Sequence, residues 1–91
     1  MNYYDSESYK IYKLFRDELG RFAERAEKAD EIKKIGTQLV RGACYFRYML
    51  CILDALSDKK ENKEVAANEV RGCFRHFCLT LADSIEKLNE S

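Results

Sequence analysis

Apolar residues return every three or four positions along three stretches of this chain, and polar runs separate the stretches. In the first, Tyr12, Phe15, Leu19, Phe22, Ala26 and Ala29 share one face of a helix, and Ile11 and Leu14 widen the stripe near its start. Asp5 or Ser6 can cap the beginning, and Glu7 suits the positive end of the helix dipole. The spacing predicts a helix over about residues 5–28, with close packing near Ala23, Ala26 and Ala29.

The junction EKADEI holds neither Gly nor Pro, and Asp30 is its best N-cap for a new helix. The rival reading is one continuous helix running to Gly36. An unpartnered helix of more than about fifty residues is unusual in so short a chain, so a break is expected at Asp30. The second helix is predicted over about residues 31–57. Between Cys44 and Leu53 only Arg47 is charged. Leu39, Phe46, Leu50 and Leu53 form one apolar face, and Val40, Cys44, Tyr48, Ile52 and Leu56 form another. A surface helix is polar over more than half its circumference, so two apolar faces need two coverings, from neighbouring helices or from another subunit.

The polar run SDKKENKE, residues 57–64, reads as a connector, with Asn62 placed to cap the next helix. A third helix is predicted over about residues 63–89, with Ala66, Val70, Phe74, Phe77, Leu81, Ile85 and Leu88 on one face. Its VRGCFRHFCLTLADSI echoes VRGACYFRYMLCILDAL of the second helix once Ala43 is skipped. The echo suggests a hairpin of two like helices, with Gly42 and Gly72 each letting a neighbouring backbone come close.

These patterns give an all-α fold: an elongated three-helix bundle in one domain, 1–91, in which helices 2 and 3 form a long antiparallel hairpin. The absence of Pro and a hydrophobic fraction of 46% fit long helices rather than a disordered chain. Burial and conformational entropy nearly balance in so thin a bundle, and a homodimer or higher oligomer is therefore expected. Sixteen basic residues against sixteen acidic ones argue against a protein that coats nucleic acid through its overall field. No apolar run suits a membrane span and residues 1–30 show no leader-like core, so a cytoplasmic protein is expected. Cys44, Cys51, Cys73 and Cys78 contain no C-x-x-C pair and read as small buried hydrophobes. The alternative is one cross-helix disulfide from Cys44 to Cys73 or Cys78.

Candidate chemistry is sparse. No Gly-rich phosphate loop, nucleophile triad, paired-carboxylate scaffold or metal-ligand cluster is visible, so neither catalysis nor a cofactor is expected. Arg41, Tyr45, Arg47, Tyr48, Arg71, Phe74, Arg75 and His76 form a basic-aromatic cluster. If helices 2 and 3 pair antiparallel about residue 60, Arg47 and Arg75 frame one patch fit for an anion, a nucleotide or an acidic protein surface. Otherwise the aromatics are core and the arginines are solvated. Tyr3, Tyr4, Tyr9 and Tyr12 offer a partner-binding edge at the start of the chain, or ordinary core aromatics.

Arg71 and His76, four residues between them on the last helix, resemble the R-x4-H motif of HEPN-domain ribonucleases. That resemblance implies metal-independent RNA cleavage, usually across a dimer; a five-residue offset sets the two side chains about 140° apart on one helix, so they would have to converge through a partner subunit. EIKKIGTQLV together with ANEVRGCFRHF resembles the helical hairpin of phage-encoded sponges that sequester cyclic nucleotides in anti-CBASS defence. On that likeness Lys33 or Lys34 would meet phosphate, and a tyrosine near the N-terminus, such as Tyr9, would stack on a base. The leading expectation is a non-catalytic inhibitor or adaptor of bacterial or phage type that binds a protein partner through exposed helix faces.

Overall fold

The computed structural model describes residues 2–90. A single 3-10 turn, Tyr3–Asp5, leads into α1 (Glu7–Glu27), α2 (Ile32–Ala55) and α3 (Lys60–Asn89). Each helix packs against the other two, and the bundle measures 50 × 19 × 15 Å. The all-α three-helix architecture expected from the periodicity is the one observed.

Helix boundaries follow from local hydrogen bonding. Ser6 caps α1, its Oγ accepting from the Tyr9 N–H at 3.2 Å. The chain breaks after α1, as the polar junction suggested, but Asp30 is not the cap. Glu31 takes that position in an extended conformation without a side-chain cap, and Asp30 instead accepts from Lys34 Nζ at 2.6 Å. This bond is the main cause holding the Asp30 carboxyl below its ordinary value. Helix α3 begins at Lys60, before the expected start, and Asn62 lies inside it rather than capping it.

The carboxylate of Asp58 organises that end of the bundle. Its Oδ1 accepts from the Lys59 N–H at 2.7 Å and from Asn62 Nδ2 at 3.2 Å. Its Oδ2 accepts from the Ser8 N–H at 3.1 Å and from Ser8 Oγ at 2.6 Å. One carboxylate thus ties the first turn of α1 to the connector between α2 and α3. The Ser8 hydroxyl first, then the Asn62 amide and the backbone N–H groups, hold Asp58 well below the usual carboxylate range against the opposing effect of desolvation. A carboxylate whose folded pKa is depressed stabilises the fold above the unfolded value of about 3.9, and that contribution drains away as pH falls through the folded value. The melting midpoint of the wild type is therefore expected to fall more steeply below about pH 4 than that of Asp58→Asn, followed by circular dichroism. Ser8 is fully buried, and Ser8→Ala, which removes one bond to a charged acceptor, is expected to cost about 1.5 kcal/mol.

The core is continuous along the bundle. Phe15, Leu19, Phe22 and Ala26 of α1 meet Ile35, Met49 and Leu53 of α2 and Ala66, Val70, Phe77 and Leu81 of α3. Every one of these α1 and α3 residues belongs to the face that the spacing predicted. Leu14 does not join its stripe and stays 57% exposed, while Ile11 packs at the edge of the core. Phe46 and Phe74 stack at 4.4 Å with rings 8° from parallel, which sets α2 and α3 in the antiparallel register about residue 60.

The echoed sequences do not occupy matching environments. Val40 is 63% exposed and Val70 is fully buried; Gly42 is buried and Gly72 exposed. Positions that share an environment in the two helices are instead Gln38 and Ala66, Gly42 and Val70, Met49 and Phe77, and Leu53 and Leu81. They stand twenty-eight residues apart, a different offset from that of the VRG triplets. Only Gly42 marks a close approach, and it lies against the side chain of Phe77 rather than against a backbone. The space beside Gly72 is open.

Candidate functional site

Helix α2 is the element whose surface departs most from that of an ordinary bundle. Of its nine exposed positions from Val40 to Ala55, three are charged (Arg41, Arg47 and Asp54). On α1 nine of eleven exposed positions are charged, so the contrast belongs to α2 and not to the composition of the chain. The two apolar faces read from the sequence separate here. Phe46, Leu50 and Leu53 turn inward, together with Met49 and Gly42, while Leu39 stays 39% exposed at their edge. On the other face Ile52 and Leu56 reach the edge of the core, but Val40 and Tyr48 stay 63% and 61% exposed, with Cys44 and Cys51 exposed between and beyond them. Val40, Cys44, Tyr48 and Cys51 recur at spacings of four, four and three, a single outward stripe.

The residues singled out from the sequence scatter over the bundle. Tyr45 is a core aromatic, stacked on Phe15 at 5.8 Å and edge-on to Phe22 at 6.4 Å, and burial pushes its phenol up. Tyr9 packs among its neighbours, with ring centres 5.3 Å from Tyr3, 5.1 Å from Tyr4 and 6.1 Å from Tyr12. This tyrosine cluster sits at the Asp58 end of the bundle. Lys33 and Lys34 begin α2 at the opposite end, roughly 27 Å away by helical rise along α1, so one chain does not bring Tyr9 and these lysines onto one ligand. Arg47 and Arg75 each follow one of the stacked rings, Phe46 and Phe74, and both are exposed. Arg71 donates to Asn68 Oδ1 at 3.3 Å and His76 is exposed, so these two do not converge within the chain.

The four cysteines are free. The expectation that they are buried holds for none of them fully: Cys44 and Cys51 are exposed, and Cys73 and Cys78 are half-buried, their thiols pushed up chiefly by burial. The cross-helix disulfide is not formed. Thiols are small enough to be tolerated on an outward face, and the core of α2 is already filled by Met49, Phe46 and Leu53.

The grooves among the described residues include two with charged linings. One, of about 580 Å³, lies along the α2–α3 hairpin and mixes Asp54, Asp58 and Glu64 with Lys60, Lys63 and Arg71. The other, of about 460 Å³, lies where α1 ends and α2 begins, and is lined by Arg25, Lys28, Asp30, Lys34, Gln38 and Arg41 among others. Sequence reasoning reached Lys34 and Arg41 but missed Arg25, Lys28 and Gln38. The missing signal was three-dimensional: Lys34, Gln38 and Arg41 share a stripe of α2, and only the turn at 28–31 brings Arg25 and Lys28 beside it. Among the described residues no group of His, Cys, Asp and Glu could hold a metal ion, and no helix is long and apolar enough to cross a membrane. Comparison with protein-family models, with characterised proteins and with solved structures finds no match to this chain.

Proposed function

We propose that this chain is a non-catalytic interaction protein, of adaptor or inhibitor type, that docks through the outward stripe of α2, and that its first partner is a second copy of itself. The observation that carries the reading is the stripe of exposed, uncharged positions Val40, Cys44, Tyr48 and Cys51, flanked by Arg41 and Arg47, on a helix whose exposed positions are charged far less often than those of α1. Contiguous apolar surface of this kind marks contact sites.

Charge complementarity favours an antiparallel copy. Paired about Cys44, two α2 helices bring Val40 against the partner's Tyr48. The same register sets Lys33 of one chain beside the partner's Asp54, twice by symmetry. A parallel arrangement would set lysine beside lysine. The stripe is roughly 17 Å long by helical rise, too short to bury the ~800 Å² per partner of a standard complex, so pairing through it is expected to be weak and concentration-dependent.

Disulfide trapping reads the register. Under a mild oxidant the wild type is expected to give a covalent dimer through Cys44, kept in Cys51→Ser and lost in Cys44→Ser. A dimer trapped equally well through Cys51 alone, or none at concentrations where the chain associates, would refute the arrangement.

A further inference from the structure

Two antiparallel helices leave a groove on each side of their seam, and in the α2–α3 hairpin α1 fills only one of them. On α2 the side toward α1 is marked by Tyr45, which meets Phe15 and Phe22, and the seam by Phe46, stacked on Phe74. On α3 the charge of Arg16 from α1 reaches Cys73, so Cys73 marks the α1 side and Phe74 the seam. Ile32, Leu39 and Ala43 stand fourteen, seven and three positions before Phe46, and Cys78, Ala82 and Ile85 stand four, eight and eleven after Phe74. Helical spacing carries both rows along the seam on the side away from α1. Ile32, Leu39, Ala43 and Ala82 are exposed there, and Cys78 and Ile85 are half-buried.

Nothing charged interrupts these rows until Arg47 and Arg75, one residue beyond each of the stacked rings. Neither arginine makes an ion pair or hydrogen bond with the other described residues. Past them the hairpin groove mixes Asp54, Lys63 and Glu64. The apolar stretch therefore runs from Ile32 to Phe46, roughly 21 Å by helical rise.

These dimensions and this chemistry favour one kind of cover. An extended strand gains nothing here, because helices offer no free edge of backbone groups to pair with. A helix fits: the small side chains of Ala43, Cys78 and Ala82 let its axis come close, and Ile32, Leu39 and Ile85 pack against its flanks. The hairpin already takes α1 this way in its other groove, with Phe15 against Tyr45 and Phe46. At one end of the stretch two unpaired guanidinium groups rim an apolar surface, where a carboxylate from the partner fixes direction and register.

We infer that this face seats a helix of about four turns from a second protein, apolar on one side and bearing carboxylates at the end beside Arg47 and Arg75. The inference goes beyond the pairing of two copies. Leu39 and Ala43 stand on the α3 side of α2, whereas Tyr48 follows Tyr45 by three positions on the α1 side.

Fluorescence anisotropy of the full chain tests it, with a labelled synthetic helix of about four turns as probe. The peptide carries leucine and alanine on one side, glutamine on the other, and a pair of glutamates at one end. A second peptide has glutamine in place of both glutamates. The expected result is one acidic peptide bound per chain, more tightly than its neutral counterpart. Ala82→Glu, at an exposed position, is expected to abolish binding of both while leaving the helical spectrum unchanged. Arg75→Glu, also at an exposed position, is expected to weaken the acidic peptide by about tenfold or more and to remove its advantage over the neutral one. Tyr48→Glu is expected to leave peptide binding unchanged, so a failure of self-docking and a failure here read out separately. The inference is overturned if the acidic peptide does not bind, if Ala82→Glu leaves binding intact, or if Arg75→Glu keeps the preference for glutamates. Loss of self-association in Ala82→Glu would also overturn it, by making a second copy the occupant of this face.

Discussion

Gly42→Val is expected to cost about 3 kcal/mol or more, lowering the melting midpoint by roughly 12 °C or more for a domain of this size. A Cβ added at Gly42 overlaps the ring of Phe77, which is 3% exposed and stacked against Phe74 at 6.0 Å, so the ring has no free space to retreat into. Gly42→Ala brings the same overlap with one methyl. Overpacking of about 1–3 kcal/mol is then partly offset by the ~1 kcal/mol that Ala gains over Gly within a helix, for a net loss of about 1–2 kcal/mol. Gly72→Ala meets open space and is expected to raise the midpoint, by up to about 1 kcal/mol of stability. Opposite signs at the two glycines of the two VRG triplets, measured by thermal unfolding, separate close packing from shared sequence. Gly42→Ala combined with Phe77→Leu is expected to cost less than the sum of the single changes, because the smaller side chain vacates the space the methyl needs.

The second large effect falls on association rather than stability. Tyr48→Glu, alone or with Val40→Glu, is expected to leave the helical spectrum and the melting midpoint of the dilute chain close to the wild type, because both positions are more than half exposed. The same changes are expected to abolish self-association, since a docked pair would bury each carboxylate against an apolar neighbour without a partner for its charge. Leu14→Glu serves as the control. Leu14 is also 57% exposed but stands on a face where nine of eleven exposed positions are already charged, and its replacement is expected to leave association intact. Equal loss on replacing Leu14 and Tyr48 would mean that the apolar surface acts without regard to position.

Most of the fold was legible because helical periodicity is a one-dimensional signal. The stripes Phe15–Leu19–Phe22–Ala26 and Ala66–Val70–Phe77–Leu81 could be read directly, and the antiparallel register about residue 60 returned as the Phe46–Phe74 stack. The helix starts were less legible, because a cap depends on which backbone N–H is left over. Asp30 and Asn62 have capping side chains, yet one pairs with a lysine a turn ahead and the other donates to Asp58 from within the helix. The tie from Ser8 to Asp58 spans fifty residues and leaves no local mark.

The candidate surfaces divide in the same way. That α2 is apolar on more than one side was visible in Val40, Cys44 and Tyr48, but which side the chain itself covers was not. Tyr45 and Tyr48 look alike in sequence; one packs on Phe15 and the other is 61% exposed. The cationic corner was half visible, in Lys34 and Arg41, and the burial of Gln38 beside it had no sequence signal at all.

Sedimentation equilibrium of the wild-type chain over a wide concentration range tests the working role of α2 most directly. The expected result is a mass that rises from one chain toward two as concentration increases, with Tyr48→Glu remaining at one chain throughout. A wild type that stays monomeric up to its solubility limit, or a Tyr48→Glu chain that associates as readily as the wild type, would contradict the assignment of this face as the docking surface.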